Sequence, residues 1–270
     1  MGTFITYSAT DIGSVREKNQ DSIGIIVNTH PKLSAALGIV CDGVGGLQEG
    51  EYASVTTCNR FIDWFQYELP QMVGENDFEA VLEKRWMKIV ENHNQYLYQY
   101  ALEKGVKIGT TLTAILLFRS KYFTVQVGDS RAYQITEQLE QLTEDQSLVA
   151  REVRQGLLTK EEARHETRQN ILLQSIGYSK HIIPEFRSGN IVENADYLIC
   201  SDGFYHQITE EEMIANFRGE VLWNAQLMKE QIDAFIELVK QRGEKDNISV
   251  ALIKYVPDRQ EKNIETCELR

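Results

Sequence analysis

Apolar and polar positions change period several times along this chain. Thr3–Gly13 alternates and is rich in β-formers before it reaches a glycine. "SIGIIVN" and "SAALGIV" follow as short apolar runs of strand length. From Glu49 to about Leu69 the spacing turns helical. A second helical stretch runs from about Asn76 to Lys104, with Phe78, Val81, Leu82, Trp86, Ile89 and Val90 on one face. Four strand-like pieces then come in quick succession: "TTLTAILLF", "YFTVQVGD", "RAYQIT" and "LEQLT". Turns this short predict antiparallel hairpins rather than βαβ crossovers.

"SLVAREVRQG" predicts a short helix with Ser147 as N-cap and Gly156 beyond its end. Thr159 and Glu162 have the spacing of a capping box. A strand is expected near Ile182–Phe186, another at "DYLICSD", and a last one at "NISVALIKY". Between these last two lie a helix from about Thr209 and a longer one near Ala225–Gln241. Val256–Arg270 is polar and reads as a loose tail. The expected architecture is α+β, with antiparallel sheets covered by helices, in one domain over residues 1–256 and a tail over 257–270.

Composition narrows the function classes. The 270 residues are 42% hydrophobic and 25% charged, which is globular rather than disordered. Net charge is −12, which argues against nucleic acid or an anionic membrane as a partner. The same charge disfavours a two-metal nuclease, which needs a basic groove. No apolar run approaches the ~18 residues of a membrane helix, and no secretory leader is evident. Cys41, Cys58, Cys200 and Cys267 form no CxxC pair and are expected as reduced thiols in a cytoplasmic protein. Cys41 and Cys200 lie inside apolar runs and are expected in the core.

The candidate chemistry lies where apolar runs meet acids. Asp42 follows "LGIVC", Asp129 follows "YFTVQVG" and Asp202 follows "YLICS". Asp21 and Asp246 immediately precede strand-like runs. Any one is an ordinary turn residue. Gathered on one rim of a sheet, they would repel by several kcal/mol at ~4 Å, so protonation or a cation must neutralise them. All-oxygen ligation suits hard cations such as Mg²⁺ or Mn²⁺. Glycine beside the ligand lets backbone approach an ion, which makes the Gly43 carbonyl an additional candidate ligand. No HExxH or Cys/His spacing suggests zinc. "GVGGLQEG" is not GxGxxG, because Gln48 takes the third glycine's place, and "VGDSRAY" is not a GxSxG elbow. Arg16 is either a surface arginine or a planar fork for phosphate beside such a cluster.

Seven motifs, "GSVREKNQDSIGI", "VCDGVGG", "GTTLTAILL", "VGDSRAY", "LTEDQSL", "ICSDGF" and "DNISVALI", fall in order over roughly residues 3 to 255. Together they resemble the metal-dependent protein phosphatase family, the protein phosphatase 2C class, in its compact bacterial form. The resemblance implies a four-layer αββα sandwich. It also implies hydrolysis of phosphoserine and phosphothreonine, with a water activated between two Mn²⁺ or Mg²⁺ ions attacking phosphorus directly. Asp42 resembles the bridging carboxylate and Gly43 a backbone ligand of the second ion. Asp202 and Asp246 resemble the remaining ligands of the first ion, Asp21 the acid that holds a metal-bound water, and Asp129 a ligand of a third ion. Arg16 resembles the phosphate-gripping arginine and Asn247 a residue that orients the loop. The implied substrates are phosphorylated proteins made by a Ser/Thr kinase, and the implied state is a monomer. A catalytically silent member serving as a regulatory binding module is the alternative.

Three features depart from the family pattern. Val44 and Leu47 stand where many relatives have a histidine that protonates the leaving group, so that acid is unassigned. His165 is a substitute only if it is not a surface residue. Gln20 stands where relatives often have glutamate, and Gln146 replaces histidine in "EDQSL". Residues 145–180 resemble the family's flap. Its Arg151, Arg154, Arg164 and Arg168 either steer phosphorylated segments or pair with Glu152, Glu161 and Glu162.

Overall fold

The computed structural model describes residues 3–30, 33–44, 47–219 and 221–256. Among the described residues, ten strands form two antiparallel five-stranded sheets. The first sheet comprises β1 (Thr3–Asp11), β10 (Ile248–Val256), β9 (Asp196–Cys200), β6 (Arg131–Ile135) and β7 (Leu139–Gln141), in that spatial order. The second comprises β2 (Ser22–His30), β3 (Leu33–Cys41), β4 (Leu112–Phe118), β5 (Lys121–Val127) and β8 (Glu185–Asn190).

Alternation builds four layers from these strands. In β3, β4 and β9 every residue but one is buried, so they read as near-continuous apolar runs. Odd and even positions nevertheless go to different cores. Ala36, Val40, Ile115 and Leu117 meet Tyr197, Ile199, Ala251 and Ile253 between the sheets. Leu37, Ile39, Ala114 and Leu116 face the opposite way, onto helices α1 (Gly50–Asp63) and α3 (Phe78–Lys104). On the far side, Leu198, Cys200, Val250 and Leu252 pack on α7 (Glu210–Phe217) and α8 (Ala225–Gln241). Each fully buried aliphatic side chain contributes about 1.5–3 kcal/mol of transfer free energy. The expected αββα sandwich is the observed one.

Local signals place the helices. Asn224 caps α8 by accepting from Leu227 N, and α8 buries Met228, Ile232, Phe235, Ile236 and Val239 on one face. α3 stops at Gly105, whose φ of 65° is left-handed. Ser147 caps α4 (Leu148–Arg154), and Thr159 and Glu162 form the expected capping box on α5 (Lys160–Arg164). The first helical stretch is more irregular than its periodicity suggests. After α1 it passes through a π-helical turn, Trp64–Glu68, into α2 (Leu69–Met72).

Two strand expectations are corrected. The four closely spaced strands are not a continuous run of hairpins. β4 with β5 and β6 with β7 are hairpins, but Gly128 at φ 106° turns the chain out of one sheet and into the other between β5 and β6. The strand expected near Ile182 begins at Glu185, after Pro184, which has no N–H to give a ladder. Ile183 is instead bracketed by Gln174, whose amide donates to its carbonyl and accepts from its N–H. A short helix α6 (Asp202–Tyr205) was not foreseen. The tail over 257–270 lies outside the described residues.

Candidate active site

All five acids arrive at one rim because the register of both sheets puts them there. Ser22 pairs with Cys41 across β2 and β3, so Asp21 and Asp42 lie side by side just past the ladder. Arg131 and Val250 both pair with Cys200, so Asp129, Asp202 and Asp246 leave the other sheet at the same end. Asp42 is tied to β4: its N–H donates to Thr111 Oγ1 at 2.9 Å, and Thr111 N–H donates to its carbonyl at 2.8 Å.

Glycine is required where these turns crowd. A Cβ on Gly43 would stand 2.5 Å from the Gln20 carbonyl oxygen and 2.7 Å from that of Gly50. One on Gly203 would stand 2.2 Å from the Asn247 carbonyl oxygen. Asn247 clamps the loop that carries Arg16. Its Nδ2 donates to the Ile12 and Lys18 carbonyls at 2.9 and 3.0 Å, and its Oδ1 accepts from Gln20 N at 2.8 Å. Gln20 acts mainly through its backbone, whose carbonyl accepts from Gly43 N and Ser54 Oγ.

The electrostatics of the rim are those of acids short of cations. Asp129 and Asp202 are 5% and 6% exposed, while Asp21 and Asp42 keep some accessible surface. Burial pushes the Asp42 carboxyl well above the ordinary carboxylate range, and Asp21, Asp202, Asp246 and Asp129 push it further. Burial raises Asp21 to about 7, against hydrogen bonds from Ser249 and Ser201 that favour the anion. Asp129 is raised by burial and then by Asp202, and Asp202 by burial against the opposing pull of His206. Asp202 Oδ1 is buried with no hydrogen-bond partner.

Arg16 is not free for a ligand here. Its Nε and Nη2 donate to Asp246 Oδ1 and Oδ2 at 2.9 and 2.6 Å, a bidentate grip at the edge of the cluster. Among the described residues, no three His, Cys, Asp or Glu side chains already converge at coordinating geometry. The donor set itself fits a hard dication. It is all oxygen, mutually repelling and at least half-buried, and one carboxylate oxygen lacks any partner.

Several side readings resolve. Cys41 and Cys200 are fully buried, and burial pushes both thiols up, which suits core packing. His165 is 80% exposed and 3.5 Å from Glu161, a surface residue. Val44 and Leu47 pack beside Gly109. Three of the flap arginines are paired: Arg168 with Glu152 and Glu166, Arg154 with Glu144, and Arg164 with Glu161 and Glu210. Glu162 serves the capping box instead, and Arg151 is exposed. Gln146 has a structural task. Its Oε1 accepts from Gly128 N at 2.8 Å, pinning the segment after β7 to the turn that carries Asp129.

Sequence reasoning missed the brace behind Asp129. Arg131 grips both oxygens of Asp145, at 2.6 to 3.1 Å, and its guanidinium lies 3.7 Å over the Tyr205 ring. Tyr205 in turn donates to the Asp129 carbonyl at 3.2 Å. Arg131 and Asp145 both sit inside the motifs quoted above, but nothing local says that they meet.

Comparison with known proteins identifies the family. The family profile described as protein phosphatase 2C matches residues 14–241. The chain is 32% identical over 246 residues to the serine/threonine phosphatase stp of Listeria monocytogenes, covering 91% of this chain and 93% of that one. It is 29% identical to protein phosphatase PhpP of Streptococcus pneumoniae, with 90% and 94% covered. The crystal structure of Stp1 from Staphylococcus aureus superposes with a TM-score of 0.79 at 29% identity, over 94% of this chain and 96% of that one. The catalytic domain of PstP, crystallised with two manganese ions, superposes with a TM-score of 0.75 at 26% identity, over 95% and 100%. With this fold, these motifs and these relatives, the chain belongs to the protein phosphatase 2C family of serine/threonine phosphatases.

Proposed function

We propose that the rim is a divalent-metal centre that hydrolyses phosphoserine and phosphothreonine in proteins, opposing a Ser/Thr kinase. The observation that carries this reading is the mutually repelling set of half-buried Asp21 and Asp42 with buried Asp129 and Asp202, with the Asp202 Oδ1 unpartnered. Asp21, Asp42, Asp202, Asp246 and the Gly43 carbonyl would hold two Mn²⁺ or Mg²⁺ ions, and Asp129 would help hold a third. The two manganese ions in PstP favour manganese. Bound there, such ions supply charge neutralisation, Lewis-acid polarisation of the phosphoryl group and activation of water.

The chain's own groups do the rest. The Arg16 fork presents two parallel N–H donors, and a phosphoryl group has the acceptor spacing that the Asp246 carboxylate now supplies. With Asp246 turned to a cation, Arg16 would be free to orient the phosphate. Asn247 keeps the Arg16 loop in place through its three contacts. Ser201 Oγ donates to Asp21 Oδ2 at 3.0 Å and sets the orientation of that carboxylate. With Val44 and Leu47 at the loop, these positions supply no protonating side chain, so good leaving groups are favoured. The complete set of rim acids favours turnover over a silent binding module. No helix among the described residues is long and apolar enough to cross a membrane, and a monomer acting on phosphoproteins completes the reading.

The test is hydrolysis of an aryl phosphate and of phosphoserine peptides with Mn²⁺ or Mg²⁺. Asp42→Asn and excess chelator should each lower turnover about 10³-fold or more, the several kcal/mol of lost charge stabilisation. Turnover that survives the chelator overturns the reading.

A further inference from the structure

Away from the rim, several unusual features coincide on the outer helical layer. A cavity of about 210 Å³ is lined by Arg60, Arg85, Ile89, Asn92, His93 and Tyr96. Its cations are under-compensated. Arg60 Nη2 donates to Glu68 Oε1 at 3.0 Å, and Arg85 Nε donates to the other oxygen of the same carboxylate. Two guanidinium groups therefore share one anion, and the cluster carries a net positive charge on a chain of net charge −12. Glu68 ends the π-helical turn Trp64–Glu68. Such turns are rare and concentrate at functional sites. This one ends at the carboxylate that both arginines share.

The polar groups beside the cations are also unfinished. His93 Nε2 is buried without a hydrogen-bond partner. Burial and the neighbouring Arg60 hold the imidazole neutral, with its pKa lowered to about 4. A neutral ring can offer an N–H to an acceptor without adding charge. Unpartnered buried polar groups are uncommon enough to need an explanation, and an anion seated against Arg60, Arg85 and His93 provides one. The space is large enough for a small oxyanion. Ile89 and Tyr96 supply an apolar wall, as ligand sites commonly have.

We infer that this cavity is a second ligand site, separate from the catalytic rim, that binds a small oxyanion between Arg60 and Arg85 with His93 as an additional donor. The shared chemistry is that of a phosphate or a small carboxylate.

The three tryptophans make it testable in the intact metal-loaded protein. Trp64 and Trp86 are fully buried beside the cavity's arginines, while Trp223 is 67% exposed and serves as an internal reference. In ¹⁵N spectra of Mg²⁺-loaded protein, inorganic phosphate or acetate should shift the indole N–H signals of Trp64 and Trp86 saturably. Trp223 should stay still, and equal chloride should do nothing beyond screening. Whichever anion saturates at lower concentration identifies the source. Arg85→Gln should weaken binding about tenfold, the loss of one charge-assisted hydrogen-bonding partner. His93→Gln, which keeps a donor, should weaken it less. If neither anion moves the two buried indoles, or if Arg85→Gln and wild type respond alike while both retain native spectra, the inference fails. Hydrolysis at the rim is not read in this experiment, so its outcome is independent of the phosphatase mechanism.

Discussion

β9 and β10 run through the middle of one sheet and carry buried acids at both ends, yet the two ends solve the problem of buried charge differently. At the end remote from the rim, Asp196 is completely buried and Lys254, 8% exposed, faces it across the ladder. The lysine stands 3.7 Å away, an ion-pair distance beyond hydrogen-bond reach, and its own donor goes to the Gly219 carbonyl at 2.5 Å. At the rim, Asp202 and Asp246 leave the same two strands beside Asp21, Asp42 and Asp129, and Arg16 reaches only Asp246. One end carries a compensating cation of its own. The other leaves most of its acids uncompensated, as the proposed dication site would require. Burial alone therefore does not mark function. What separates the two ends is the ratio of acids to cations built into the chain.

The contrast can be broken most severely at Lys254. Lys254→Met strands Asp196 in the core and should cost about 3–5 kcal/mol in urea unfolding, with kcat on aryl phosphate unchanged. Adding Asp196→Leu to that variant should restore most of the loss, because an apolar pair needs no compensation. A loss of kcat in the stable double variant would show that the remote end is not merely structural.

pH probes the same pair with a smaller effect. Burial raises Asp196 from the ordinary 3.8 to about 7, against the pull of Lys254. The folded chain therefore holds this proton more tightly than the unfolded chain. The stability that this provides is whole below the unfolded value and is lost as pH rises through the folded one. Unfolding free energy should carry a downward component of up to about 4 kcal/mol across that window, and Asp196→Asn should remove it. An unchanged slope in the variant refutes the assignment.

The smallest effect sharpens the rim. In metal-free protein, Asp202→Asn relieves like-charge crowding and should raise stability by about 1 kcal/mol, measured by urea titration, while turnover with metal is lost. A fall in metal-free stability would mean that Asp202 is a structural acid like Asp196, and the distinction between the two ends would disappear.

Much of this molecule was legible before any coordinates. Alternation located most strands, and the 3.6-residue period gave α8 with its observed limits. Ser147 and Thr159 capped the helices that they were expected to cap. Five acids at strand ends pointed to the rim because strand ends are where a sheet can gather side chains from distant segments. The failures share one cause. The period of a strand does not say which sheet it joins, so β5 and β6 read as a hairpin although Gly128 sends them into different sheets. The π-helical turn has the composition of an ordinary helix and left no mark. Arg131 and Asp145 are 14 positions apart, Arg131 at the start of a strand-like piece, and neither stood out.

Local chemistry along the chain set the elements, their caps and the acids at their ends, since period, turn residues and capping act over a few neighbours. The partners of those acids were settled by packing. Arg16 meets Asp246 across 230 positions, Ser201 meets Asp21 across 180, and Lys254 lies opposite Asp196 through strand register. Such pairings depend on how two sheets stack and where each ladder starts. No short window of residues contains that information, because the energies that choose it come from the whole buried core.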